Sequence, residues 1–541
     1  MQAPNLASVE TPTGADRAAE RPTWARSLAV ILLLAVATVA AVIVGNGNVA
    51  VALVPSALAL VVWGAWFLPL RIPMMVLLFL AWALEVPGDA FAFGLVETPW
   101  KLLGSVLWAK LNLVLPFSPL VLSGFDLLAL LLFAAIIYRH LRGSSLDRAG
   151  WVDSAAPIRT VALLSIVAVL WMSAYGLARG GTFRFTLWQC TRWIYLPIVY
   201  ALMNQALRGA GDAPIVGRVL LAAGVFRAVE AIVFRSMFPD VELMPHATTH
   251  ADSVLWATCI AILGAMLIEM PGKQTTGLAL ALLPIFAWAI KANNRRLIWA
   301  ELGIVAVFFW IVTPWRPLKR RVGRWLVLGF LPLLLYAVAG WGAPPSVVFW
   351  PVQKVRSMTD SSANTSTLWR DLEIYNLVYT YSQNPLVGSG FGHPFIERVK
   401  LPDVTASYEL EPYVPHNSVI GLWAFGGVVG FAMIWAIFPV GLFFTVRAYR
   451  WARTARERVT ALGAAAVQIC YLLQGYGDLG FGHWGTVFTI AAGYALVGKI
   501  CVANGGWALA TESPPSPPDP QHPGAEPPSV TGLAGGITLR M

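Results

Sequence analysis

Unbroken apolar stretches constrain this chain more than any other feature. Residues 28–44, 49–68 and 160–178 contain no Asp, Glu, Lys or Arg. A helix of about 20 apolar residues crosses the ~30 Å hydrocarbon core of a bilayer. The pattern therefore predicts an all-α polytopic membrane protein with about 12–14 transmembrane helices. The expected spans are 28–44, 49–68, 73–86, 119–138, 160–178, 186–206, 215–234, 252–269, 277–292, 297–313, 325–341, 417–445, 459–475 and 484–502. The third is short because Pro87 and Gly88 interrupt it, and residues 89–118 read as an interfacial or re-entrant segment. The first run follows Arg26 without a small-residue cleavage site, so a retained span is expected rather than a signal peptide.

A net charge of +10 would suit a nucleic-acid partner, but hydrophobic residues are 57% of the chain and charged ones only 12%. Soluble domains carry about twice that charged fraction. Most basic residues fall in short connections, as cytoplasmic loops require. Arg139, Arg142 and Arg148 form one such group, Arg316 to Arg324 a second, and Arg447 to Arg458 a third. The expected division is a cytoplasmic tail over 1–26, membrane helices over 27–341 and a large extracytoplasmic loop over 342–416. Membrane helices over 417–502 and a Pro-rich cytoplasmic tail over 503–541 complete it. Membrane lipids are expected partners and nucleic acid is not. The four cysteines sit in or beside apolar runs without metal-ligand spacing, and read as buried thiols.

Cations and titratable groups break this pattern on one side only. Lys291, Arg295 and Arg296 map outward, as do Arg184 and Arg192. Five of the seven histidines, His246, His250, His393, His416 and His483, map to the same face. The stretch from Tyr413 to Gly430 puts His416 and Asn417 where the polar loop meets a glycine-studded apolar helix. A membrane helix needs no histidine at its mouth for stability, although helix capping would also account for one. Within the loop, residues 368–383 read as an amphipathic helix, broken by Asn384-Pro385 and a turn built on Gly388, Gly390 and Gly392. Gly426 and Gly430, four apart, predict close approach of another helix.

Arg227 and Glu230 are three apart inside a span, either an ion pair lining a cavity or a substrate contact. Asp126 and Glu301 lack a partner legible in the sequence. Asp478 and His483 could reach the same cavity. His246 and His250, four apart and followed by Asp252, could ligate a metal on a helix, but the segment reads as a loop without the glutamate of an H-E-x-x-H motif, and no metal is expected.

The elements Trp369-Arg370, Asn384 to Gly392 and His416-Asn417-Ser418 leading to Gly426, Gly427 and Gly430 resemble the O-antigen ligase and polymerase superfamily. Asn294-Arg295-Arg296 stands where family members carry a Ser-Arg-Gly-like turn, which leaves the choice between the two arginines open. The resemblance covers roughly residues 280–445. It implies a multi-span glycosyltransferase of a bacterial inner membrane, with its active site facing the periplasm and no cofactor. The donor would be a polyprenyl-diphosphate-linked glycan, the acceptor a glycan or lipid-core hydroxyl.

The residues suit that chemistry. Guanidinium groups hold the charge of a departing diphosphate through bidentate hydrogen bonds, and neutral histidine accepts a proton near physiological pH. On this reading His416 is the base or acceptor-orienting group and Asn417 fixes its position. Arg295 or Arg296 binds the diphosphate with Arg370 and Arg192. Snorkelling to lipid headgroups is the competing account of the arginines. Ligation and polymerisation are not separable from these residues. A transporter or flippase of lipid-linked glycans is the alternative, although no inverted repeat is visible.

Overall fold

Hydrocarbon offers no partner to backbone N–H and C=O groups, so a spanning chain satisfies them within helices. The computed structural model of the chain follows that rule. It describes residues 23–44, 49–84, 122–142, 150–240, 245–315, 317–344, 365–402, 410–477 and 480–507, with isolated positions at 104, 107–108, 346, 348–349, 352–353 and 356. The tails, most of the 89–118 segment and Asp478 lie outside the described residues.

The described helices are α1 (Thr23–Val44), α2 (Val49–Phe67), α3 (Arg71–Ala83), α4 (Gly124–Leu141), α5 (Ala156–Ala178), α6 (Phe183–Ala206), α7 (Ala213–Met237) and α8 (His250–Glu269). They continue as α9 (Lys273–Asn293), α10 (Leu297–Val312), α11 (Pro317–Trp341), α12 (Thr365–Gln383), α13 (Ser418–Trp435), α14 (Ile437–Trp451), α15 (Ala455–Gly477) and α16 (Trp484–Ala503). The fold is an all-α polytopic membrane protein.

Among the described residues, seven helical segments, or eight with the bent α11, are long and apolar enough to cross a membrane. That number lies below the expected count for physical reasons. Helices α3 and α10 are apolar but short, as is the apolar part of α1 (Leu28–Ile43). Helix α7, at 25 residues, has the length, but it turns charged side chains inward. The expected single span 417–445 is two helices, α13 and α14, which together run from Ser418 to Trp451.

Helices α8 and α16 form the centre, with 72% and 89% of their apolar windows buried. Helix α15 packs along α8, α6 along α16, and α5 along α6. The side chains of α11 are exposed almost all round, Val327, Leu328, Phe330, Leu331 and Leu335 among them. This helix therefore meets lipid rather than core.

Buried charge is locked inside the bundle. Arg227 on α7, 1% exposed, makes two bonds of 2.8 Å to Asp252 and one of 2.5 Å to Glu230. Asp252 also accepts from the Thr249 amide and hydroxyl at 3.1 and 3.0 Å, capping α8. At the opposite end Glu269 receives Arg458 and Tyr449, each at 2.6 Å. These pairs tie the ends of α8 to α7, α14 and α15.

Candidate functional site

The loop glycines and the helix glycines form one interlocked unit. Helix α13 breaks at Gly427, whose φ of 57° and ψ of −165° leave the helical region. The amides of Val428 and Val429 donate instead to the carbonyls of Pro385 and Leu386, at 2.8 and 3.0 Å. On the other side of the break the Phe425 carbonyl accepts from Gly390 at 2.9 Å. The Asn384–Gly392 turn thus replaces the hydrogen bonds the helix gives up.

Gly388, Gly390 and Gly392 have φ of 66°, 78° and 94°, a region that side-chain-bearing residues avoid. The turn continues between α5 and α6. The Phe391 amide donates to Met172 O at 3.1 Å, and the Gly392 amide to Gln189 Oε1 at 2.5 Å. Gly426 and Gly430 both face Met172 of α5, where a Cβ would lie 2.9 and 2.7 Å from its Cε and Sδ. The expected close helix approach is this α5–α13 contact.

That framework fixes His416 and Asn417 at the mouth of α13. Asn417 is the N-cap, its Oδ1 accepting from the Ile420 amide at 3.0 Å, as such residues do at helix starts. The Glu373 carboxylate, on α12 and 0% exposed, receives the His416 and Asn417 amides at 2.9 and 3.2 Å. His416 Nδ1 lies 3.3 Å from Glu373 Oε1. Trp369 meets the imidazole edge to face, with centroids 4.7 Å apart. The His416 side chain remains 23% exposed.

The arginine turn sits at the same end of the bundle. Asn294 closes α9 in the left-handed region at φ 52°, which asparagine tolerates better than most residues. Asn293, 0% exposed, accepts from the Thr248 amide at 2.8 Å and donates to Thr249 O at 3.1 Å. Arg295 is largely buried, its Nη1 lying 2.5 Å from His250 Nε2 and its Nη2 donating to Thr248 O at 3.3 Å. The segment 245–250 is therefore the bracket that holds the arginine turn. Among the described residues no three His, Cys, Asp or Glu gather to hold a metal.

Arg296 starts α10 and is half-buried. Burial, and then the positive charge of Arg370 on α12, weaken its hold on its proton. The two guanidinium groups therefore feel each other across the gap between the α9–α10 turn and the loop helix. Arg192 of α6 lines a small cavity with Gln189, Pro415 and Ser418, directly behind the His416-Asn417 corner. Arg227 and Glu230, by contrast, are closed into the buried triad with Asp252.

Burial, then the charge of Arg295, pushes the His246 imidazole down to about 4. Its ordinary value is about 6.5, so the folded state favours the neutral ring. The stabilisation is complete above about pH 6.5 and is lost as pH falls towards about 4. We expect His246→Gln to melt less steeply with acidification than the wild type over that window; parallel melting curves would count against it.

Glu373 was not legible beforehand as part of the site. Its signal was the spacing in Trp369-Arg370-Asp371-Leu372-Glu373, which puts Arg370 and Glu373 one helical turn apart.

This geometry has a known relative. Residues 257–435 match the O-antigen ligase family. The matched stretch runs from within α8 to the end of α13, enclosing Arg295, Arg296, Arg370, Glu373 and His416. Arg192, Arg227 and Glu230 lie outside it. Over that stretch the match bears out the resemblance to the O-antigen ligase and polymerase superfamily. A search of curated proteins found no match to the chain.

Proposed function

We propose that the protein moves a glycan from a polyprenyl-diphosphate carrier to a hydroxyl acceptor at the outer face of a bacterial inner membrane. The observation that carries this reading is the composition of α12. One turn of that helix brings Arg370 to Arg296 and, through Glu373, holds His416. Cations for a diphosphate and a base for a hydroxyl are thereby joined by one rigid element.

In the reaction the acceptor oxygen attacks the anomeric carbon of the donor sugar. The bond from that carbon to the diphosphate oxygen breaks, and its electron pair leaves with the polyprenyl diphosphate. Arg296 and Arg370, with Arg295 beside them, stabilise the charge that accumulates there, and guanidinium suits this because it stays charged and presents a planar fork. His416 takes the acceptor's proton, help that is worth about 10²–10⁴-fold. Asn417 keeps the imidazole at the helix mouth, and Arg192 supports the corner from behind. Helix α12 and the 410–416 turn supply this wall of the site from the outer side, consistent with basic connections such as Arg447 to Arg458 at the opposite end.

The test is His416→Ala in the bacterium that makes the protein, with surface polysaccharide resolved on a gel and membrane abundance measured alongside. Loss of long glycan at normal abundance is expected. Long chains stalled on the lipid carrier would identify ligation, and short units polymerisation. Unchanged glycan would defeat the proposal and favour transport of lipid-linked glycans instead.

A further inference from the structure

Glu373 is a fully buried carboxylate whose three hydrogen bonds all lead to one place. Oε1 receives the His416 amide at 2.9 Å and faces His416 Nδ1 at 3.3 Å, while Oε2 receives the Asn417 amide at 3.2 Å. A buried carboxylate without compensation is costly. Here the compensation comes from the His416 and Asn417 amides just ahead of α13, at the end where a helix presents positive potential. Both oxygens of the carboxylate therefore act as acceptors here.

We propose that Glu373 is the positioning residue that turns His416 into a base, by holding the ring proton on Nδ1 and leaving the Nε2 lone pair for the acceptor hydroxyl. This rests on the transferase reading and adds a tautomer and a direction to it. An ionised carboxylate has no proton to give, so Nδ1 must be the donor in that contact. The remaining nitrogen is then the acceptor. When Nε2 takes the proton from the attacking hydroxyl, the imidazolium charge forms beside the carboxylate, which stabilises it. The proton stays on His416 until the product departs. Glu373 itself exchanges no proton.

The geometry also explains why the dyad spans the loop and the membrane helix. Trp369, one turn before Glu373, packs edge to face on the same ring. The imidazole therefore has one side fixed by an aromatic and Nδ1 fixed by a carboxylate, both from α12. Among the described residues, charged groups on the surrounding elements include Arg370 and the exposed Asp371 on α12, Glu411 on the preceding turn, Arg184 and Arg192 on α6 and Arg296 at the head of α10.

The experiment compares Glu373→Gln, Glu373→Asp and His416→Ala in purified protein reconstituted with lipid-linked donor and acceptor, with rates measured from pH 5 to 9. Glu373→Gln should lower kcat about 10²–10³-fold, within the range of general-base help, at similar KM. The acid limb of its pH profile should move to lower pH, because the imidazolium has lost its counter-charge. Glu373→Asp should keep that limb near the wild-type position. A Gln variant whose limb stays in place overturns the proposal.

A folding defect in the variants would not block the test, because the wild type answers separately. In 15N-histidine-labelled protein, His416, assigned by its loss in His416→Ala, should show the Nδ1-protonated tautomer; an Nε2-protonated ring overturns the proposal. If Glu373→Gln behaves as wild type while His416→Ala is inactive, the transferase reading stands and the dyad falls. Full activity of His416→Ala removes both.

Discussion

Replacing Gly388 with alanine is expected to unfold the loop from the bundle. The residue sits at φ 66°, and a Cβ there would fall on the Phe425 carbonyl and 2.6 Å from the Gly427 nitrogen. Backbone strain and overpacking each cost about 1–3 kcal/mol, and neither neighbour is a flexible side chain that could move aside. We expect a lower melting temperature in detergent, reduced membrane abundance and loss of glycan transfer together. Gly303→Ala is the control. That glycine lies in α10 with open space around its Cβ position, so alanine should be neutral or slightly stabilising. Equal melting of Gly388→Ala and wild type would show that the loop does not depend on this contact.

Arg296→Ala should give the opposite signature, a lost reaction in an intact protein. Arg296 and Arg370 are like charges within electrostatic reach of each other, a repulsion that an anion bound between them would relieve. Removing one should lower transfer about 10²–10³-fold, the scale for loss of a charge-stabilising donor. Thermal unfolding should change little. Arg296→Lys should recover only part of the rate, since an ammonium lacks the planar fork. Added polyprenyl diphosphate should raise the melting temperature of the wild type more than that of Arg296→Ala. A large fall in stability with unaltered transfer per folded molecule would instead assign Arg296 a structural role.

The fold class could be read from the apolar runs because bilayer thickness imposes their length. Helix 368–383 and the close approach at Gly426 and Gly430 were legible for the same kind of reason, through periodicity and small-residue spacing. The break at Gly427 was not. A glycine in an apolar run reads as a packing position, and only the three-dimensional return of Pro385 and Leu386 shows that its neighbours bond elsewhere. His416, Arg296 and Arg370 stood out because charged and titratable groups are conspicuous at a membrane boundary. Glu373 did not, since a carboxylate on an amphipathic loop helix has an ordinary solvated alternative. Its burial against two amides depends on how α12 docks. Arg227 and Glu230 were recognisable as a pair, but Asp252, distant in sequence, completes the triad and determines how closed it is.

The broken α13 also bears on how the chain enters the membrane. During synthesis α13 is made after the 384–392 turn that satisfies it, and the two must meet before the break can form. Until the loop returns, Phe425, Val428 and Val429 either remain in a straight helix or expose polar backbone to lipid, which hydrocarbon penalises heavily. The break at Gly427 therefore requires the docked turn, because only then do the Val428 and Val429 amides have carbonyls to meet. Folding of α13 and docking of the turn are one cooperative event, and the position of His416 ahead of that helix depends on it.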